Sequence, residues 1–367
     1  MKVAITSKFS YDFFANGLNQ NIVLLYELLE DCGIEVFLLD FTTEKESFKN
    51  HEFLKNKKIK NWWKTQQDKD NEIDILLCPG ISCNEDIHKF FRKKNKNFKS
   101  VAVHYGNNLF SDIQSMFFNE SPTFYGGKLK SHTDYTLYSP HYSIAKEYYE
   151  VNSNSGSQEI PYIWSPKFIE QESRELGINP SYRPVVRPNI AVTEPCINIS
   201  KTSMAPILTI LNILKNKPHA FNEAYIFSNK LHKVKGQIIK QLNENTILSK
   251  FKKRVFFDPR QKFPYILYRD NPLILSHQFY NELNYVYLES LHYNYPLVHN
   301  SEAIKESGYF YEDFRIKSAE SCVYRAIETH NDQMKSYEEE SRKIIDKFSP
   351  ANNKSKTLKI IESIYND

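Results

Sequence analysis

Pro272-Leu273-Ile274-Leu275-Ser276-His277-Gln278-Phe279-Tyr280-Asn281-Glu282-Leu283-Asn284-Tyr285-Val286-Tyr287-Leu288-Glu289-Ser290-Leu291-His292-Tyr293-Asn294-Tyr295-Pro296-Leu297-Val298-His299-Asn300 is the stretch from which the fold is read. The apolar run at 272–276 reads as a buried strand and a polar loop follows it. Residues 284–292 carry apolar side chains at helical spacing, and 295–299 is apolar again. Strand, loop, helix and strand in that order make a βα unit of a parallel sheet.

The same grammar runs outward from there. Upstream, 189–193, 224–228 and 254–257 read as strands, with helices at about 202–215 and 231–242. Downstream, three helical stretches close the chain by Ile364. A second series begins at the first residues: strand 3–6, a helix from Leu18 to Asp31 ended by Gly33, then strands at 34–40, 73–78, 100–104 and 134–138. Between the series lie the polar tract 151–158 and five prolines from Pro161 to Pro188. This predicts an N-terminal Rossmann-like domain at 1–165, a linker at 166–186 and a C-terminal Rossmann-like domain at 187–367 whose last helices can cross back. The charged segment 41–70, with Trp62-Trp63, reads as an insertion or flap.

Composition narrows the class. With 41% hydrophobic residues, 25 Phe and 24 Tyr among 367, there is ample apolar surface for two cores. Ten glycines exclude Gly-rich repeats, and a net charge of +4 is far below that of a dedicated nucleic-acid module. Five cysteines without a CxxC suggest neither a zinc site nor a disulfide framework. No secretory leader and no run of membrane-spanning length is seen, so a cytoplasmic protein is expected. There is no GxGxxG and no GxxxxGK[ST], which removes the fingerprints of dinucleotide dehydrogenases and P-loop NTPases.

Ligands of open α/β sheets gather at the carboxyl ends of strands, so the loops there carry the candidates. After the first strand, Asp12 is placed to act as a base, with Asn16 and Gly17 as acceptor contacts; the plainer reading of Asn16 is a helix cap. His104, in His-Tyr-Gly-Asn-Asn, is a second candidate base, with Asn107 beside it as an acceptor contact. Lys201, Thr202 and Ser203 fall at a helix start, where unpaired N–H groups and a cation favour a diphosphate. His277, Asn281, Asn284 and Tyr285 surround the next helix start, and Glu289 lies on that helix.

Arg187-Pro-Asn-Ile-Ala-Val-Thr-Glu-Pro-Cys-Ile-Asn-Ile-Ser-Lys-Thr-Ser203, Ser276–Glu289, Tyr295–Glu302 and Gly308-Tyr-Phe-Tyr311 together resemble a bacterial and phage family catalogued as domain of unknown function 2827. Asn16-Gly-Leu-Asn-Gln20 resembles that family's start, whereas Cys196 stands where the family tends to have Asn. The family is similar to GT-B glycosyltransferases, in which two doubly wound Rossmann-like domains face a cleft, and it occurs near surface-polysaccharide genes. The resemblance implies transfer of a sugar from a nucleotide-sugar to a hydroxyl acceptor, with the nucleotide-sugar as co-substrate and no further cofactor. It also implies that Glu289 holds the ribose.

Two alternatives stay open at this level, and one signal is set aside. The basic runs at 92–99, 55–60 and 252–254 are ordinarily solvated faces, but they could track DNA phosphates, making hydroxymethylcytosine in phage DNA the acceptor instead of a glycan. A sugar- or nucleotide-binding protein without catalysis has the same motifs. Asp68-Lys69-Asp70 matches a metal-binding Asp-x-Asp, but it precedes an apolar strand rather than following one, and no metal is expected.

Overall fold

The computed structural model describes residues 1–9, 14, 17–42, 51–66, 72–79, 81–118, 133–153, 155–234, 236–237 and 253–367. The chain forms two compact units, one of residues 1–165 with 347–367 and one of 166–346.

Unit 1 is built on seven strands: β1 (Lys2–Ser7), β2 (Glu35–Asp40), β3 (Ile59–Asn61), β4 (Ile75–Cys78), β5 (Lys99–His104), β6 (Tyr135–Tyr138) and β7 (Ser157–Glu159). They lie in the order β3-β2-β1-β4-β5-β6-β7, and every pair is parallel. Val3, Ala4 and Ile5 are fully buried, as a strand covered on both faces requires. The connecting helices are α1 (Gly17–Asp31), α2 (Trp62–Thr65), α3 (Glu85–Lys94), α4 (Asn108–Phe117) and α5 (Lys146–Ser153). α1 ends in a Schellman turn: Ile34 N–H bonds Leu29 O and Gly33 N–H bonds Glu30 O, with Gly33 at φ +77°.

Residues 51–66 correct the expectation of a flap. Strand β3 extends the sheet, Leu38 pairing with Ile59, and Trp62 is 4% exposed, stacked on Phe41 at 5.6 Å. Burying a side chain of that size is worth about 2–3 kcal/mol, enough to hold a charged segment onto the edge of the sheet.

Unit 2 opens with α6 (Lys167–Leu176), which buries Phe168 and Ile169 and ends at Gly177 in the left-handed region. The stretch expected as linker therefore contains a helix: the prolines flank it, Pro166 at its cap and Pro180 beyond its end, without interrupting it. Then come β8 (Ile190–Val192), α7 (Met204–Asn216), β9 (Ala224–Phe227), α8 (Asn229–Lys233), β10 (Val255–Asp258), α9 (Phe263–Asp270), β11 (Leu273–Leu275), α10 (Tyr285–His292), β12 (Leu297–His299), β13 (Tyr309–Phe310), α11 (Ile316–Thr329) and α12 (Met334–Lys347). This sheet is parallel throughout, in the order β10-β9-β8-β11-β12-β13. The order reverses between β8 and β11, the topological switch point where a crevice opens beyond the carboxyl ends of the strands. The last helix, α13 (Pro350–Asn366), packs on α1 in unit 1, and Trp164 N–H reaches Phe348 O at 2.8 Å. Among the described residues no helix is long and apolar enough to cross a membrane.

Candidate functional site

At the switch point of unit 2, Glu194 follows β8 and Ser276-His277-Gln278 follow β11. Glu194 is 1% exposed. Its Oε1 accepts from the Ser276 hydroxyl and, at 3.3 Å, from His277 N–H, while Oε2 is buried without a partner. The Gln278 amide lies beside this carboxyl, its Oε1 accepting from Asn281 Nδ2 at 2.9 Å and its Nε2 left unbonded. Burial outweighs these bonds and pushes Glu194 up to about 7.

The loop from β8 to α7 is tied to the β11 loop by Phe279 N–H to Ser200 O, 3.0 Å. Within it Lys201 is half-buried, and no carboxylate of the described residues lies within ion-pair distance of it. Its ammonium is pushed below the usual lysine range, first by desolvation and then by the nearby Arg260 guanidinium, with Glu194 acting in the opposite sense. A buried ammonium that a neighbouring guanidinium makes harder to charge is a place where an anion is favoured. Thr202 spends its hydroxyl as acceptor of Met204 N–H at 3.3 Å. Ser203 is fully buried; its N–H reaches Cys196 Sγ and its hydroxyl reaches Glu194 O, so it serves the loop's own folding. Neither it nor Asn284, the residues before α7 and α10, makes a side-chain cap, and at the start of α7 Thr202 takes the Met204 N–H instead.

Glu289 is 9% exposed on α10 and, among the described residues, has neither hydrogen-bond nor ion-pair partner. Burial raises it to about 8, Glu172 of α6 adds to the rise, and Arg260 opposes it. Arg260 is thus within electrostatic reach of both Lys201 and Glu289, although nearly 90 residues separate those two in sequence. His277 has its Nδ1 against Tyr311 OH at 3.0 Å and its ring on Phe314 at 4.4 Å; burial lowers it to about 4, so it is neutral at physiological pH. Tyr285 is the first residue of α10 and half-buried.

In unit 1, Asp12 and Asn16 lie outside the described residues, as do Asp68 and Asp70. Gly17 is the first residue of α1. His104 ends β5 with 5% exposure and its ring lies flat on Tyr149, 4.3 Å between centroids and 4° between planes. Asn107 is the N-cap of α4, its Oδ1 accepting from Phe110 N–H at 3.4 Å.

Sequence reading passed over Glu194, Gln278 and Arg260. Glu194 could have been found as a lone carboxylate directly after an apolar run. Arg260 sits two residues past β10, at a strand's carboxyl end, the position that singled out His104.

The family model for protein of unknown function (DUF2827) matches residues 3–358, and the chain belongs to that family. No curated protein matches the sequence. Among solved structures, the lipopolysaccharide outer core galactosyltransferase WaaB is 14% identical, with 98% of this chain and 100% of that one covered at a TM-score of 0.58. Anabaena HepE in complex with UDP-glucose is 11% identical, covering 99% and 100% at 0.59. The trehalose-6-phosphate synthase OtsA is 12% identical, covering 99% and 99% at 0.60. The chain spans 58% of the pneumococcal O-GlcNAc transferase GtfA, at a TM-score of 0.48. The fold is that of GT-B glycosyltransferases, with two Rossmann-like units.

Proposed function

We propose that this member of the family is a nucleotide-sugar-dependent glycosyltransferase that binds its donor at the switch point of unit 2 and passes the sugar to a glycan hydroxyl. The observation that carries the reading is Glu289, a buried carboxyl without a hydrogen-bond or ion-pair partner among the described residues and within electrostatic reach of Arg260. Burying such a group without compensation costs free energy, and a ligand with vicinal hydroxyls repays that cost. A ribose donating its 2′- and 3′-hydroxyls to Glu289 would leave the diphosphate near Lys201 and Arg260, facing the starts of α7 and α10. Those groups gain most when the bond from the anomeric carbon to the diphosphate breaks and negative charge grows on the leaving oxygen. Lys201 and Arg260 then supply the charge neutralisation for which other transferases use a metal.

In unit 1, Asp12 and His104 are the proposed bases for the acceptor hydroxyl, with Asn16 and Gly17 as acceptor contacts; Asn107, whose side chain caps α4, is assigned to that helix instead. The relatives' names, which include a galactosyltransferase and a UDP-glucose complex, support a UDP-sugar as the first donor to try. A panel of sugar nucleotides with diphosphate release as the readout tests the reading. Lys201→Ala should lower release about a hundredfold while moving Tm by a few degrees at most. No release from any donor, with or without oligosaccharide acceptors, would favour a binding protein without catalysis.

A further inference from the structure

We infer that Glu194 holds the donor's diphosphate as a neutral carboxylic acid, taking one proton from solution as the anion arrives; this rests on the donor site proposed above. The geometry sets its terms. Glu194 stands at the switch point, one oxygen engaged by Ser276 and His277 and the other without a hydrogen bond of good geometry among the described residues, although the Gln278 amide beside it favours the charged form. A buried oxygen without a partner is costly as a carboxylate and useful as an O–H donor.

The groups that face it bear this out. Tyr287 from α10 and Tyr311 after β13 both feel the carboxyl, and burial holds both phenols well above 10, so they stay neutral. His277 is neutral as well, being held down to about 4. Lys201 is the cation that offsets Glu194, with Arg260 beyond it. A diphosphate drawn to Lys201, doubly charged in a nucleotide-sugar and triply charged in UDP, adds negative charge beside a carboxyl that already titrates near 7, and so drives it to the protonated form. The balance is simple: carboxylate plus a solvent proton gives the acid, whose O–H donates from Oε2 to a phosphoryl oxygen, and no bond of the donor changes. The hydrogen bond strengthens as the diphosphate departs.

UDP titrated calorimetrically between pH 7.0 and 8.5, in buffers of different ionisation enthalpy, reads the proton directly. In that range the terminal phosphate of UDP is already ionised. Glu194→Gln keeps an acceptor for Ser276 and a donor towards the phosphate but has no proton to exchange. Wild type should take up more protons than Glu194→Gln, the difference approaching one per site at pH 8. Its Kd for UDP should rise by up to tenfold per pH unit relative to the variant. Ser276→Ala removes a bond that favours the charged carboxyl and should move the uptake to higher pH, which keeps the test open if the Gln variant does not fold. UDP binding with no difference in protons, or a difference abolished by Glu289→Gln instead, overturns this inference and leaves the donor site standing. No UDP binding by any of these proteins overturns both.

Discussion

The carboxyl edges of the two sheets hold their charged side chains in opposite ways. In unit 2 the edge is charged and unsettled: among the described residues Glu194 keeps an oxygen without a hydrogen bond, Glu289 has no hydrogen-bond or ion-pair partner, and Arg260 helps hold Lys201 below the usual lysine range. In unit 1 the carboxylate on the described part of the edge is satisfied, Asp40 accepting from Thr42 N–H at 3.1 Å and from the Thr42 hydroxyl, and the buried groups without a hydrogen bond there, the hydroxyls of Ser7, Tyr105 and Ser139, are neutral. His104 stacks on Tyr149, whose hydroxyl bonds Gly106 O at 2.9 Å, and Asn107 caps a helix. Polar groups that complete one another inside the protein stabilise it, whereas polar groups that do not are waiting for something outside. Substitutions on the two edges should therefore sort into those that damage function and those that damage stability.

The largest separation is expected at Arg260. Its side chain is exposed and it influences both Lys201 and Glu289. Arg260→Ala should reduce donor-dependent diphosphate release about a hundredfold, with Tm changed by no more than a few degrees. The same substitution removes the charge that lowers Lys201 and Glu289, so the pH at which Glu289 ionises should move upward. A Tm loss as severe as the loss of activity would make this edge an ordinary structural network and erase the contrast.

Glu289 tests the cost side of the same comparison. Its folded-state pKa is raised from the ordinary 4.5 to about 8. The folded protein therefore keeps a proton that the unfolded chain releases above about pH 4.5, and stability present below that pH is lost as the pH rises towards 8. Glu289→Gln should escape this loss, with a gain of about 1–2 kcal/mol at pH 8 and little at pH 5 in parallel denaturant titrations. UDP affinity should fall about tenfold in the same variant, since an amide cannot accept from two hydroxyls as a carboxylate does. A variant less stable at pH 8 than wild type would show that Glu289 is held by the fold and is not reserved for a ligand.

Much of this was legible in the amino-acid order, for physical reasons. Parallel strands covered on both faces write themselves as continuous apolar runs, and 3–6, 100–104 and 297–299 all read that way. Strand β13 is two residues long and offers no period to detect, while the helix α6 was hidden because prolines at its flanks outweighed its own pattern. At the candidate site, Lys201 and Glu289 were visible because helix starts and helix faces are local features. Arg260 acts across a distance that only the strand order creates, and the missing partner of Glu194 is a property of packing in three dimensions, which spacing along the chain does not encode.

The smallest effect belongs to unit 1. Asn107→Ala removes the side-chain acceptor for Phe110 N–H at the start of α4, a cap whose loss costs about 1 kcal/mol, at the low end for a bond as long as 3.4 Å. Because Asn107 is buried at the edge of its own sheet and answers a need of its own helix, UDP affinity should be unchanged and denaturant midpoints should shift slightly downward. Asn107→Asp keeps the acceptor and adds a negative charge at a helix start, which the macrodipole favours, so it should recover most of the loss. If the alanine variant instead lowered turnover tenfold with midpoints unmoved, and the aspartate failed to restore it, Asn107 would belong to an acceptor surface. Unit 1 would then share the unsettled character of unit 2.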